Sequence, residues 1–259
     1  MNMAKTALIT GASSGIGYEL AKLFAQDGIN LVLVARDESR LQQIASELAG
    51  VQVKTIRADL SRPETPAAIY EETGRGSIAI DYLVNNAGFG VSGPFADTDL
   101  EAELDLIQVN VSSVVHLTKL YLRDMLRRGA GGILNVASTA AFQPGPLMST
   151  YYASKAFVLS FTEAIATEMR NTKVTVTALC PGPTATDFQR RAKIEGIRLM
   201  KSGPFGMMSA SEVARIGYRG FFDGKVIVIP GMLNKIGVQM VRLGPRALVR
   251  QITRKLQET

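Results

Sequence analysis

The sequence predicts an α/β fold in which a doubly wound, seven-stranded parallel sheet is covered by helices on both faces. Short β-rich runs alternate with longer helical patterns along the chain, which is typical of parallel strands joined by crossover helices. Some strands, such as NLVLVA at 30–35, are apolar on both faces, as a sheet covered on both sides requires. The 259 residues contain no linker or internal repeat, so we expect one domain.

Seven strands and six helices are predicted within this alternation. The strands are expected at 5–10, 30–35, 51–56, 81–85, 132–137, 173–180 and 225–229. Helical periodicity predicts helices near 15–27, 38–48, 63–74, 99–128, 150–170 and 209–221. Two segments fall outside the pattern: 187–208, which mixes cationic and bulky apolar residues, and 232–259. In the second segment Leu248, Ile252 and Leu256 recur at a spacing of four after Pro245, which predicts an amphipathic helix.

Composition excludes several classes of protein. With 46% hydrophobic and 20% charged residues, the chain is neither disordered nor a coiled coil. A single cysteine, Cys180, and a single histidine, His116, exclude a disulfide framework and a metal site built on cysteines or several histidines. The uncharged stretch 129–154 has Gln143-Pro-Gly-Pro146 at its centre, which argues against a membrane span. With no recognisable signal peptide, we expect a cytoplasmic protein.

A glycine-rich turn follows the first predicted strand. The run Thr10-Gly-Ala-Ser-Ser-Gly-Ile-Gly17 leads directly into a predicted helix. Glycine lets backbone N–H groups approach a ligand, and a helix N-terminus offers unpaired donors and positive dipole, so the turn predicts a phosphate site. The spacing G-x-x-x-G-x-G differs from the standard dinucleotide fingerprint, and an ordinary structural turn remains an alternative.

The same turn also matches G-x-S-x-G, the nucleophile elbow of serine hydrolases, with Ser13 at its centre. A serine nucleophile needs a base, but the lone His116 falls within a predicted helix. No earlier strand and loop exist to build an oxyanion hole. The hydrolase interpretation is therefore disfavoured.

The second predicted strand ends in Ala35-Arg36-Asp37. An acidic residue at this point binds the ribose hydroxyl of an adenine dinucleotide, whereas an arginine accommodates a 2′-phosphate. Ala35 leaves room and Arg36 supplies a planar cation suited to phosphate, which favours NADP(H). Asp37 and Glu38 remain alternatives, either as ribose ligands or as acids of the first helical turn.

Tyr151 and Lys155 lie four residues apart, and so on one face of a predicted helix. An ammonium beside a phenol is expected to lower the tyrosine pKa and give a general acid/base. Ser138 follows a predicted strand, where its hydroxyl could polarise a substrate carbonyl. It is equally suited to a turn or helix cap.

Together these residues resemble those of the short-chain dehydrogenase/reductase family in its one-domain form. The likeness extends from Lys5 to Gly231. Each motif is common alone, but their joint order and spacing are specific. The motifs are Thr10-Gly-x-x-x-Gly-x-Gly17, Asp59-Leu60, Asn85-Asn86-Ala87-Gly88, Asn110, Ser138, Tyr151-x-x-x-Lys155, and Pro181-Gly182 with Thr186.

The resemblance implies a Rossmann-type fold and reversible hydride transfer between NADP(H) and a carbonyl carbon, interconverting a ketone and a secondary alcohol. It assigns catalysis to Asn110, Ser138, Tyr151 and Lys155, with Asn110 holding a water that leads to Lys155. It assigns cofactor contacts to Gly11, Ser13, Ser14, Gly15, Ile16, Gly17, Arg36, Asp59, Leu60, Asn86, Ala87, Gly88, Tyr151, Lys155, Pro181, Gly182, Thr184 and Thr186. A non-catalytic NADP(H)-sensing protein on the same fold is the alternative, which the complete catalytic set disfavours.

In this family the segment after Thr186 folds over the substrate, so 187–208 is interpreted as a helical lid within a domain spanning 1–231. Its apolar residues favour an apolar or elongated substrate, but packing against the domain or another subunit would explain them equally. The resemblance also implies a homodimer or homotetramer formed through the helices near 99–128 and 150–170. The residues concerned are Phe188, Ile194, Ile197, Leu199, Met200, Phe205, Met207 and Met208 for the lid, and Phe157, Val158, Phe161 and Ile165 for the interface.

The formal net charge of +6 is concentrated in two segments. Residues 187–205 carry +3 and residues 232–259 carry +5, so the rest of the chain is slightly acidic. No nucleic-acid recognition motif accompanies the charge. We expect either a solvated, solubilising helix or an anionic partner near the site entrance: an acyl-carrier phosphopantetheine, coenzyme A, or an acidic membrane surface.

Overall fold

The computed structural model describes residues 4–192, 194, 196 and 207–258. Its main sheet has seven parallel strands in the order β3-β2-β1-β4-β5-β6-β9, which confirms the predicted doubly wound architecture. The strands are β1 Thr6–Thr10, β2 Asn30–Ala35, β3 Val53–Arg57, β4 Tyr82–Asn85, β5 Gly131–Val136, β6 Val174–Leu179 and β9 Ile227–Val228. A separate parallel pair joins β7 Thr184–Ala185 to β8 Met208–Ser209.

Helices cover both faces of the main sheet. They are α1 Gly15–Gln26, α2 Glu38–Glu47, α3 Thr65–Arg75, α4 Leu100–Ile107, α5 Ser113–Arg128, α6 Ser149–Glu168, α7 Phe188–Arg191, α8 Ala210–Phe222, α9 Met232–Leu243 and α10 Arg246–Gln257. Short 3-10 turns occur at Thr139–Phe142 and Met169–Asn171.

Each predicted strand is present, with ends that differ by at most two residues. The helix expected at 99–128 is instead divided, because a π-helical turn at Gln108–Ser112 separates α4 from α5. Helix α9 was not predicted, since its apolar residues lie on more than one side and blur the periodicity. Of the predicted lid, the structure describes α7 and a few flanking residues. Ile197, Leu199, Met200 and Phe205, and the charged residues Lys193, Glu195, Arg198 and Lys201, lie outside the described residues.

Successive strand residues enter opposite cores, because side chains alternate across a sheet. In β1, Leu8 packs among residues of α3, α5 and α6, whereas Ile9 packs among residues of α1, α2 and α8. On the second side, Phe24 of α1 and Phe221 of α8 approach with their ring centroids 6.5 Å apart. Burial on both faces explains the uninterrupted apolar runs that predicted the sheet.

A buried polar network fixes α5 and α6 against the centre of the sheet. The Asn85 amide on β4 donates to Thr118 of α5 at 3.1 Å and to the side chain of Asn135 on β5 at 2.8 Å. The Asn135 amide donates to Thr162 of α6 at 2.9 Å, and Thr162 donates to the carbonyl of Val158. The network therefore sets the position of α6, which supplies Tyr151 and Lys155.

Replacement of Thr162 tests this network. Thr162→Val keeps the shape but leaves the buried Asn135 amide without an acceptor, so unfolding free energy is expected to fall by about 1–3 kcal/mol. Thr167→Val on the same helix is the matched control, because Thr167 makes the same bond to the carbonyl four residues earlier but is exposed. Urea denaturation monitored by circular dichroism measures both variants; equal effects would contradict the role given to the network.

Candidate active site

A cavity of about 1000 Å³ opens at the carboxyl ends of the parallel strands. Open α/β sheets bind ligands at this edge. Nearly all of the predicted site residues line it, while Gly17 and Asn110 lie behind its wall. The lining residues among them are Gly11, Ser13, Ser14, Gly15, Ile16, Arg36, Asp59, Leu60, Asn86, Ala87, Gly88, Ser138, Tyr151, Lys155, Pro181, Gly182, Thr184 and Thr186.

The glycine turn after β1 has the properties of a phosphate site. Gly11 and Gly15 adopt positive φ angles of 65° and 56°, which explains glycine at both positions. Ser14 precedes α1 without making a side-chain capping bond, so the first-turn N–H groups can serve a ligand. A Cβ atom on Gly17 would lie 2.4 Å from the side-chain amide of Asn86, so Gly17 allows the close packing behind the turn.

Asn86 holds the turn from the neighbouring strand. Its side-chain amide donates to the carbonyl oxygens of Thr10 and Gly11 at 3.0 and 3.1 Å. The hydroxyl of Thr10 in turn accepts from the backbone N–H groups of Asn86 and Ala87, each at 3.0 Å. The turns after β1 and β4 therefore form one rigid unit, as a cradle for a dinucleotide requires.

The residues after β2 have two different roles: Asp37 caps a helix, and Arg36 and Arg40 present cations to the cavity. Asp37 caps α2, because its Oδ1 accepts from the Arg40 backbone N–H at 3.0 Å and from the Ser39 hydroxyl at 2.8 Å. These bonds hold the pKa of Asp37 below its ordinary value. Arg36 and Arg40 both line the cavity, and the Arg40 Nε donates to the Ser13 carbonyl at 3.4 Å. Of the alternatives left open for Asp37, the structure therefore shows the helix cap.

Ser138, Tyr151 and Lys155 meet at the other end of the cavity. Ser138 follows β5, where its hydroxyl accepts from the Ala140 N–H at 3.1 Å and lies 3.4 Å from the Pro181 carbonyl oxygen. Tyr151 and Lys155 occupy the first turns of α6, and the Lys155 Nζ donates to the Val136 carbonyl at 2.9 Å. The Nζ lies 5.9 Å from the centroid of the Tyr151 ring.

The pKa values of this cluster follow burial. Burial raises the pKa of the Tyr151 phenol above its ordinary value, and a hydrogen bond with Ser138 offsets this only in part. The Tyr151 pKa is therefore raised, not lowered as expected, because burial is the largest influence on it and the Lys155 ammonium donates to the Val136 carbonyl. Burial also lowers the pKa of Lys155 to about 8.

Asn110 lies in the π-helical turn and is fully buried. Its side chain accepts from the Phe89 N–H at 3.2 Å and donates to the Phe89 carbonyl at 3.0 Å and to the Ser154 hydroxyl at 3.1 Å. Asn110 thereby joins the loop after β4 to α6. A Cβ atom on Gly88 would lie 3.0 Å from the Asn110 Oδ1 and 3.3 Å from the Lys155 Nζ, so glycine keeps this corner open.

Several cavity residues were missed by the sequence reasoning. Arg40 follows Arg36 by one helical turn, a spacing that would have indicated a second cation. Arg191 of α7 donates to the Ser14 hydroxyl at 3.3 Å, and Phe188 places its ring centroid 5.3 Å from that of Tyr151. Phe188 was expected near the substrate as part of the lid, whereas no sequence motif marks Arg191 or the cavity residues of α9 and α10.

The hydrolase alternative finds no support in this geometry. Ser13 lines the cavity, but His116 belongs to α5 and is absent from the cavity wall that the structure describes. Ser13 therefore has no imidazole beside it. The fold, the glycine cradle and the Ser-Tyr-Lys cluster define instead a nicotinamide-dependent oxidoreductase.

Comparison with known proteins identifies the family. A family model for short chain dehydrogenases matches residues 5–195, and the chain belongs to this family. Among similar structures, a short-chain dehydrogenase from Sphingobium yanoikuyae in complex with NADPH is 34% identical, with a TM-score of 0.82 and coverage of 95% of this chain and 97% of that one.

Two further structures differ in cofactor or substrate. One from Burkholderia phymatum in complex with NAD is 26% identical, with a TM-score of 0.82 and coverage of 99% of this chain and 97% of that one. A bulky-bulky ketone specific alcohol dehydrogenase from Comamonas testosteroni is 31% identical, with a TM-score of 0.77 and coverage of 95% of each chain. Similar proteins thus bind NADPH or NAD, and the chain is an NAD(P)-dependent oxidoreductase. Among the described residues, no helix combines the length and apolarity needed to cross a bilayer.

Proposed function

We propose that the protein interconverts ketones and secondary alcohols with NADP(H), and that its substrates are apolar. The convergence of Ser138, Tyr151 and Lys155 at one end of a cavity whose other end holds the glycine turn is the observation that supports this most directly. A carbonyl bound beside the two hydroxyl groups would lie next to a cofactor seated on the turn.

The nicotinamide ring supplies or accepts the hydride, and the protein supplies orientation and charge. In the reductive direction, the Ser138 hydroxyl donates a hydrogen bond to the carbonyl oxygen as negative charge develops there. Tyr151 donates the proton, and its raised pKa keeps it protonated until that charge forms. Lys155, with a pKa of about 8, is mainly charged at neutral pH and stabilises the resulting phenolate.

Asn110 completes the proposed proton path. Its bonds to Phe89 and Ser154 hold the side chain rigidly behind Lys155. We assign it the role that the family resemblance implies, which is to position a water through which the lysine is reprotonated. This makes Asn110 a positioning residue for Lys155.

Removal of the Tyr151 hydroxyl tests the mechanism. Tyr151→Phe is expected to lower kcat for NADPH-dependent ketone reduction by about 10²-fold or more, because general acid catalysis is lost. Tyr152→Phe is the matched control, since this neighbouring hydroxyl bonds to Gln257 rather than joining the Ser138–Lys155 cluster. Absorbance of NADPH measures turnover. A variant that binds NADPH and retains full activity would refute the mechanism; a wild-type protein that binds NADPH without turnover would favour the sensing alternative.

Preference for NADP(H) rests on the cations at the end of β2. Arg36 and Arg40 line the cavity together with Asp37, whose Oδ1 caps α2. A 2′-phosphate placed there would meet two guanidinium groups. The NADPH complex of the Sphingobium relative is consistent with this preference.

Arg36→Ala is expected to weaken NADPH binding about tenfold or more, because a charge-assisted hydrogen bond contributes about 1.5–3 kcal/mol. Binding of NADH should change little. Arg57→Ala is the matched control, since Arg57 ends the adjacent strand and is exposed but does not line the cavity. Fluorescence titration with both cofactors measures the effect. A wild-type protein that binds NADH more tightly than NADPH would contradict the proposed preference.

Substrate character follows from the cavity wall beyond Tyr151. Helices α9 and α10 close this side of the cavity with apolar residues, and Phe188 and Met148 add further apolar surface. An apolar wall cannot pair with polar substituents, so an extended apolar substituent is the best match. The ketone-specific Comamonas relative suits this interpretation. The residues of the helical wall are Val238, Met240, Val241, Leu248, Val249, Ile252 and Leu256.

A series of methyl ketones of increasing chain length measures this substrate preference. Since burying one methylene group is worth about 0.8 kcal/mol, kcat/KM is expected to rise about threefold to fourfold per added carbon until the cavity is filled. Leu248→Asp should flatten the series without abolishing reduction of the shortest ketone. Equal kcat/KM values along the series in the wild-type protein would contradict an apolar substrate.

Members of this family commonly form oligomers, and we place the self-association surface on α4 and α6. Leu100, Leu104 and Ile107 recur along the exposed side of α4. On α6, Phe157 is exposed and stacks on Phe161 at 5.7 Å. Val158 and Ile165, which the sequence also predicted at this interface, are buried within the subunit. Sedimentation velocity of a Leu104→Asp variant measures this contact, and an unchanged oligomer would exclude it.

A further inference from the structure

The outward side of α9 has an apolar stripe that runs along the whole helix. Five large apolar residues on this side have between 48% and 88% of their surface exposed to solvent. Successive residues of a helix turn by about 100°, so these five occupy a single stripe about 100° wide. We call this the α9 stripe. It consists of Met232, Leu233, Ile236, Met240 and Leu243.

The fold does not use the α9 stripe. The opposite side of α9 packs inward through Asn234 and Val238, which are buried. Asn234 donates to the Pro230 carbonyl at 2.8 Å, and its side chain occupies the space left by Gly182. Because this inward side already anchors the helix, the stripe is surplus to folding. Contiguous exposed apolar surface of this kind marks an interaction site.

Helices α9 and α10, the first of which carries the α9 stripe, are rich in cations. The segment 232–259 has six basic residues and one acidic residue, Glu258. All six cations are exposed, and within the described part of the chain the ion pair they form is between Arg254 and Glu258, at 3.4 Å. The surface therefore offers unneutralised positive charge beside apolar side chains. The cations are Lys235, Arg242, Arg246, Arg250, Arg254 and Lys255.

This charge selects among possible occupants. A twofold contact between copies would bring the same cations of each chain together, because an isologous interface pairs a patch with itself. An anionic bilayer matches both features, since its acidic headgroups would pair with the cations and its acyl chains would contact the apolar residues of the α9 stripe.

The mouth of the active-site cavity opens on the same side of the protein. Met240 belongs both to the α9 stripe and to the cavity wall, and Leu248 and Ile252 of α10 are half-exposed cavity residues. Apolar surface thus continues from the outside of α9 into the cavity. We propose that α9 and α10 dock on an anionic lipid bilayer, with the cavity mouth facing the acyl chains. The docking does not depend on the proposed function, whereas delivery of a membrane-dissolved ketone to the cavity does.

Sedimentation of the full chain with lipid vesicles tests the docking. Wild-type protein is expected to bind vesicles of phosphatidylcholine mixed with phosphatidylglycerol, to bind pure phosphatidylcholine at least about tenfold more weakly, and to dissociate as salt rises. Met232→Asp with Leu243→Asp should lower binding at least about tenfold, because two apolar anchors are lost and two negative charges are added. Neither residue lines the cavity, so reduction of a short, water-soluble ketone should be unchanged.

Matched variants separate docking from its alternatives. Lys119→Ala with Lys173→Ala lowers the net charge equally at exposed sites elsewhere and should retain vesicle binding. Leu104→Asp should dissociate the oligomer and retain binding. Tyr151→Phe should also retain vesicle binding. Loss of catalysis can therefore be distinguished from loss of docking.

Four results would overturn the proposal. One is a wild-type protein that ignores anionic vesicles. Another is equal loss of binding in the lysine control. The third is dissociation of the oligomer by the paired aspartates without vesicle binding, which would make the α9 stripe a contact between copies. Binding of an acyl carrier protein in place of vesicles would likewise contradict a membrane partner.

Discussion

Burial of the Lys155 ammonium is the constraint on which the catalytic end of the molecule depends. The side chain is only 5% exposed, and removal of a charge from water is costly unless it is hydrogen-bonded. The Val136 carbonyl, 2.9 Å from Nζ, provides that bond at the very end of β5. Because the same strand end continues into Ser138, one backbone segment positions both the cation and the hydroxyl to which we assign the substrate carbonyl.

This arrangement requires that α6 be held at a fixed height over the sheet. The chain from Asn85 through Asn135 to Thr162 does so with side-chain hydrogen bonds in a region otherwise filled by apolar contacts. Such bonds have directions, whereas apolar packing alone tolerates sliding. Asn110 adds a second tie between α6 and the loop after β4. Precision at the active site is thus achieved by buried polar groups remote from the cavity.

The strands, the glycine turn and the Tyr-x-x-x-Lys pair could be predicted from sequence, because each depends on periodicity or on spacing along one element. The contact of Arg191 with the Ser14 hydroxyl could not, since Arg191 reaches the glycine turn only through the path of the chain after β6. The sign of the Tyr151 pKa shift also escaped prediction. The spacing of Tyr151 and Lys155 can be read from the sequence, but the burial that raises the Tyr151 pKa depends on how the surrounding elements pack.

Helix α9 was missed for a reason that bears on its role. A helix with one apolar face gives a clear period, but α9 is apolar both where Val238 packs inward and along its exposed stripe. Asn234 on the inward side fills the space beside Gly182, in a turn that lines the cavity. In α10, Gln257 donates to the hydroxyl of Tyr152, whose ring lies 6.0 Å from that of Tyr151. A partner on the outer surface of α10 would therefore bind an element whose Gln257 is two contacts away from Tyr151.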